Sequence, residues 1–172
     1  GWNYPPFEVP QEIYAAMDAR EAGRRMQGDW EALFAKYEEA YPELASEFKR
    51  RLAGDLPAGF DEAVMNALCG AASAAETVAT RKASQKAFNA LDHALAELLG
   101  GSADLTGSNL TNWTGVERLT RDNMCGRHIS YGVREFGMSA IQNGIALYGG
   151  FIPYSGTFLT FSDYARNAIR MA

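Results

Sequence analysis

Cysteine is almost missing from this 172-residue chain: Cys69 and Cys125 are the only two. Two isolated cysteines make neither a disulfide framework nor a metal motif. Histidine is equally scarce, and His93 and His128 show no spacing that reads as a metal constellation. No Ser-His-Asp or Cys-His arrangement can be drawn. No stretch approaches the roughly 18 apolar residues that a membrane span requires, and no signal peptide opens the chain. A reducing, cytoplasmic setting with no membrane partner is the expectation. Positive charge is also short, with 16 Lys and Arg against 21 Asp and Glu, a net charge of −5. The densest basic groups, Arg24-Arg25 and Lys49-Arg50-Arg51, are diluted by acids. They read as solvated helix faces, and nucleic acid is not an expected partner. Neither GxGxxG nor a Walker loop occurs.

What is present is an ordinary globular composition, 47% hydrophobic and 22% charged, at a length for one domain or slightly more. Residues 1–10 hold three prolines among Trp2, Tyr4 and Phe7 and should be extended. From Gln11 a helical period sets Ile13, Met17, Met26, Trp30, Leu33, Phe34 and Tyr37 inward. Pro42 starts a helix over 43–52 with Leu44, Phe48 and Leu52 inward. After a loop at Gly54, Pro57 and Gly59, Asp61 is the expected N-cap of a short helix through Cys69, itself a small buried hydrophobe. A helix is expected from about 76 to 99. Short apolar strands follow at about 98–104, 128–133 and 145–152, with helices at 134–147 and 158–172. Strands alternating with helices predict an α/β fold with a parallel sheet. The layout is a helical tail and linker over 1–75, then the opening part of an α/β domain over 76–172. A start at Gly1 and an end inside a helical pattern without a C-cap suggest an internal piece of a longer protein.

Four groups of residues could carry chemistry. Glu135 stands between a strand and an apolar helix containing Phe136, Met138, Ala140 and Ile141. It is either a helix-start acid favoured by the helix dipole or a carboxyl facing a cofactor, since a buried acid needs a partner. Asp104 sits in the Gly-, Ser- and Asn-rich run of residues 100–111, where ligands of α/β sheets bind; it could equally cap its own backbone. Phe158, Phe161 and Tyr164 are spaced by three and form either a core stripe or an aromatic wall for a flat heterocycle. Arg81, with Ser84 one turn on, is either a surface cation or a phosphate fork. Tyr148 and Tyr154 read as packing residues.

In chain order, WNYPPFEVP at 2–10, ATRKASQ at 79–85, GGSADLTGSNLT at 100–111, YGVREFGMSAI at 131–141, GGFIPYSGTF at 149–158 and FSDYARNAIRMA at 161–172 together resemble the transketolase family. The resemblance spans the whole chain. Gly107 and Tyr148 stand where many relatives have Pro and His. It implies the end of a diphosphate-binding domain followed by the start of a pyrimidine-binding domain. It implies thiamine diphosphate as cofactor and transfer of a two-carbon glycolaldehyde unit between sugar phosphates, chemistry of the pentose phosphate and Calvin type. Glu135 then matches the acid that touches the pyrimidine ring nitrogen N1′. Phe158, Phe161 and Tyr164 match the aromatic pocket, and Asp104 and Leu105 match loop residues beside the cofactor. Arg81 and Ser108 match groups that hold the substrate phosphate. Ligands for Mg2+ (or Ca2+) and for the diphosphate would lie outside the chain, and the site would be shared between two subunits of a homodimer. The other possibility is a non-catalytic assembly module or split-gene product, inactive alone.

Overall fold

Asp18 interrupts the first helical period. The computed structural model describes all 172 residues, and within residues 1–47 the helix expected from Gln11 is two: α1 (Gln11–Met17) and α2 (Arg20–Ala40). Asp18 takes the Arg20 amide at 3.0 Å and its guanidinium at 2.8 and 2.6 Å, competing with the helical ladder as aspartate does near helix ends. Neither helix buries a residue: of the expected inward positions Ile13 and Phe34 are half-buried, and the others, Met17 and Leu33 among them, are exposed. Their apolar stripe stacks along one helix instead: Trp30 lies on Phe34 at 5.1 Å and 7°.

Proline at the first position suits the start of α3 (Pro42–Ala53). Its apolar period allows two registers. The one taken buries Ala45, whereas Leu44, Phe48 and Leu52 stay 40% exposed or more.

Residues 48–172 form a second compact unit. Gly59, at φ 83°, is the N-cap of α4 (Phe60–Ala74), and Asp61 lies in the first turn rather than capping it. A left-handed entry favours glycine over an Asp cap. Cys69 is exposed on α4, not buried. The helix expected over 76–99 is α5, Thr80–Leu91. Past its end, the Arg127 guanidinium donates to the carbonyls of Asp92 at 3.1 Å and Leu95 at 2.9 Å, satisfying backbone acceptors outside the helix.

The chain then alternates: β1 (Leu98–Ser102), α6 (Thr106–Asn109), β2 (His128–Ser130), α7 (Glu135–Tyr148), β3 (Ile152–Gly156), a 3-10 turn at Leu159–Phe161, and α8 (Ser162–Arg170). The third strand begins where it was expected to end. Residues 145–148 continue the α7 period, and Gly149 and Gly150, at φ 84° and 81°, break it before Ile152. The last helix is likewise shorter than expected, a 3-10 turn taking its first residues.

The sheet order is β2-β1-β3, all parallel, as the α/β pattern predicts. Gly100 pairs with His128 and Tyr154, and Gly101 with Ile129 and Ser155. A Cβ on Gly100 would lie 1.9 Å from the Tyr154 carbonyl oxygen, and one on Gly101 2.0 Å from that of Ile129. The central strand therefore fits only without side chains at these two positions. One face packs Leu95, Leu98 and Trp113 with Phe88 and Tyr154; a second cluster joins Ala103, Tyr131 and Met138. Arg127 lies 4.8 Å over the Trp113 ring. Tyr154 packs as expected and donates its hydroxyl to the Thr111 carbonyl at 3.0 Å. Tyr148 does not pack; it ends α7 in solvent, 84% exposed. Arg50 pairs with buried Glu97 at 3.0 Å, just before β1.

Candidate functional site

Three chain reversals meet at the carboxyl ends of the parallel strands, where open α/β sheets bind ligands. Ala103 donates its amide to the Gly156 carbonyl at 3.3 Å, and Tyr131 to that of Ser102 at 3.3 Å. These bonds bring the segments after β1, β2 and β3 together.

The turn after β2 aims Glu135. Gly132 has φ 69°, a region that disfavours a Cβ, and a Cβ there would meet Arg134 Nη1 at 2.2 Å. That same nitrogen donates to the Tyr131 carbonyl at 3.0 Å. Glu135 is the first residue of α7 and is 8% exposed. Its carbonyl accepts from Ser139 Oγ at 3.0 Å, and its carboxylate Oε1 from Thr157 Oγ1 at 3.5 Å. The second contact is at the outer limit of a hydrogen bond, so the carboxyl keeps most of its bonding capacity for another partner. Tyr131, four residues earlier, is buried with its hydroxyl unpaired, and burial pushes its phenol up to about 12. Burial raises the Tyr154 phenol as well, with Tyr131 nearby adding to the shift and Arg127 opposing it.

The aromatic trio forms a ladder. Phe158–Phe161 and Phe161–Tyr164 have ring centroids 6.2 Å apart in each pair, tilted by 28° and 23°. The 3-10 turn lines up Phe158 with Phe161, because three residues per turn bring positions i and i+3 together, and the first turn of α8 carries the line on to Tyr164. The rings do not lie in the core: Phe158 is 39% and Tyr164 68% exposed. A buried stripe is therefore not what they form.

After β1, Asp104 is exposed at φ 62° and half-buried Leu105 donates its amide to Ser102 Oγ at 2.6 Å. Thus Ser102, not Asp104, makes the side-chain bond to the turn that precedes α6. Ser108 is exposed on α6. Arg81, on the first turn of α5, lines a cleft of about 470 Å³ with Ser84, Asn109, Thr111, Thr157 and Phe158. Thr157 links this cleft to Glu135, whereas Ser108, Phe161 and Tyr164 are not among its lining residues. Ser102 and Asn109 lie in the Gly-, Ser- and Asn-rich run read from the sequence without a role of their own, and Thr157 has none there either. Their only signal was position next to named residues. No group of three or more His, Cys, Asp or Glu side chains comes together in a way that could hold a metal ion, and no helix is long and apolar enough to cross a membrane.

A buried carboxyl and an exposed aromatic ladder, both just past the strands of a parallel sheet, are features that suit a ligand-binding α/β domain. Residues 76–172 match the transketolase pyrimidine binding domain, and residues 1–57 match the transketolase thiamine diphosphate binding domain. The whole chain is 59% identical to transketolase 2 of Xanthobacter flavus, covering 25% of that protein. It is 52% identical to transketolase 1 of Escherichia coli K12, covering 26% of it. Among solved structures, transketolase of Pichia stipitis complexed with sedoheptulose 7-phosphate superposes with a TM-score of 0.81 at 39% identity, over 97% of this chain and 25% of that one. Transketolase from Leishmania mexicana gives 0.78 at 35% identity, over 97% and 24%. The chain belongs to the transketolase family and spans about a quarter of the length of these relatives.

Proposed function

We propose that this chain is the part of a thiamine-diphosphate-dependent transketolase that presents the aminopyrimidine pocket. The whole enzyme moves a two-carbon glycolaldehyde unit from a ketose phosphate to an aldose phosphate. Glu135 carries the proposal, a buried carboxyl whose nearest side-chain partner is a hydroxyl 3.5 Å away. A group able to bond a ring nitrogen fits such a position, and the exposed ladder fits a flat ring. When bound, thiamine diphosphate supplies the electron sink for carbon–carbon bond cleavage. Glu135 holds a proton toward N1′ of the pyrimidine, and Thr157 orients that carboxyl. Phe158, Phe161 and Tyr164 flank the ring and exclude water from it, while Asp104 and Leu105 close the site from the β1 side. Arg81 provides charge-assisted donors for a substrate phosphate, and Ser108 a hydroxyl donor.

Residues 1–75 act as the helical end of the diphosphate-binding domain and its linker, and residues 76–172 as the start of the pyrimidine-binding domain. Mg2+ (or Ca2+) binds through residues outside this chain. The enzyme works in the cytoplasm as a homodimer with its sites between subunits, in pentose phosphate or Calvin-type metabolism. The test is Glu135→Gln in the full-length enzyme. An amide cannot relay a proton, and turnover should fall by at least ~10²-fold. Near-normal turnover of that variant would remove Glu135 from the mechanism.

A further inference from the structure

The four-residue helix α6 has no reason of its own to form. A helix this short is far below the length that is stable alone, and no side chain caps it. Two non-glycine residues in the left-handed region bracket it, Asp104 at φ 62° and Leu110 at φ 59°. Such conformations persist where the surroundings over-determine them. Two restraints are local. Ser102 Oγ accepts the Leu105 amide at 2.6 Å, and Thr111 Oγ1 donates to Asn109 Oδ1 at 2.9 Å. The third comes from another strand. His128, which opens β2 beside Gly100, places Nε2 3.2 Å from Thr106 Oγ1 on the first residue of α6. The imidazole is 5% exposed and its Nδ1 is buried without a partner. The backbone holds it rigidly: its amide donates to the Glu117 carbonyl at 3.0 Å, and its carbonyl accepts from Leu119 at 2.9 Å.

We propose that His128 is a positioning residue that fixes, through Thr106, the turn presenting Ser108 to the substrate phosphate; this rests on the phosphate-binding role given to Ser108 above. The geometry also selects a tautomer. With the proton on Nε2, the ring donates to Thr106 Oγ1 and leaves a bare lone pair at Nδ1. The opposite tautomer would bury an N–H donor with no acceptor, the costlier arrangement. Burial, with Arg118 nearby, lowers the basicity of the ring and keeps it neutral.

The experiment uses the full-length enzyme with sedoheptulose 7-phosphate as donor substrate, and compares five variants. Losing one neutral hydrogen bond at a positioning contact should raise KM about five-fold. His128→Phe and Thr106→Val should each do so with kcat little changed, and the double variant should be no worse than either single one. His128→Gln, which can still present an amide N–H to Thr106, should restore most of the loss. Ser108→Ala should raise KM as well. If Ser108→Ala raises KM while Thr106→Val and His128→Phe do not, the positioning role is overturned and the phosphate reading survives. If Ser108→Ala leaves KM unchanged, the phosphate reading itself has failed. A lower thermal midpoint with KM unchanged would make His128 merely structural. Thr106→Val preserves volume at a half-exposed site, so the proposal stays testable even if His128→Phe does not fold.

Discussion

Phe161 is the middle ring of the ladder, and its removal separates a packing role from a binding role. Phe161→Ala breaks two ring pairs, each at 6.2 Å. Aromatic pairs contribute about 0.5–1.5 kcal/mol beyond burial when well packed. Both outer rings here face solvent, Phe158 at 39% and Tyr164 at 68% exposure. The loss of stability should therefore fall near the low end, about 1–2 kcal/mol including lost contact area. Stacking against a flat heterocycle is worth about 1–3 kcal/mol per ring, which is roughly 5- to 150-fold in Kd. Titrating thiamine diphosphate into the metal-loaded full-length apoenzyme by calorimetry gives Kd, and a urea melt of the same variant gives the stability change. Phe161→Leu is the control that restores apolar volume without a π face. It should recover stability but not affinity. An unchanged Kd for Phe161→Ala, with stability lost, would mean that the ladder only packs.

Four further outcomes are expected. The isolated 172-residue chain supplied with thiamine diphosphate and magnesium should show no transketolase turnover, because the diphosphate and metal ligands are expected elsewhere; measurable turnover would refute that. Arg50→Met should lower the unfolding free energy by about 3–5 kcal/mol in a urea melt, since it strands the Glu97 carboxylate at 4% exposure. Gly101→Ala should cost about 3 kcal/mol or more, because the new Cβ meets backbone on the neighbouring strand at 2.0 Å and cannot be relieved by a rotamer change; a Tm within a degree of the parent would contradict the close approach. His128 should make the fold acid-sensitive. Its folded-state basicity is lowered, so below an unfolded pKa of about 6.5 the unfolded chain binds a proton that the folded chain resists. Stability is retained above about pH 6.5 and lost as pH falls through the folded value; His128→Phe should flatten that slope in pH-dependent melts.

Local chemistry was legible, and contacts across long loops were not. The parallel α/β order followed from the alternation of apolar runs and helical periods. The spacing of three in Phe158, Phe161 and Tyr164 placed them on one line. It could not say that a 3-10 turn would open the line before α8 continues it, nor that the outer rings would stay outside a core. The apolar run at 145–148 fits a strand as readily as a helix end, and only the left-handed glycines after it decide. The bond from Thr157 to Glu135 joins residues 22 apart, as does that from His128 to Thr106. Neither pairing has any period to reveal it. Cys69 misled because alanine-rich surroundings imply burial only when something covers them.

The strand order carries a consequence for synthesis. The central strand is the first made, and its outer neighbour β3 starts at residue 152, 50 positions after β1 ends at residue 102. At about 5–20 residues per second on the ribosome, β1 emerges several seconds before β3 can pair with it. Two adjacent glycines and Ser102 confine its apolar side chains to Leu98 and Leu99 meanwhile. The nascent strand therefore waits with a bare backbone edge, and only those two side chains give it apolar surface while its partners are still being translated.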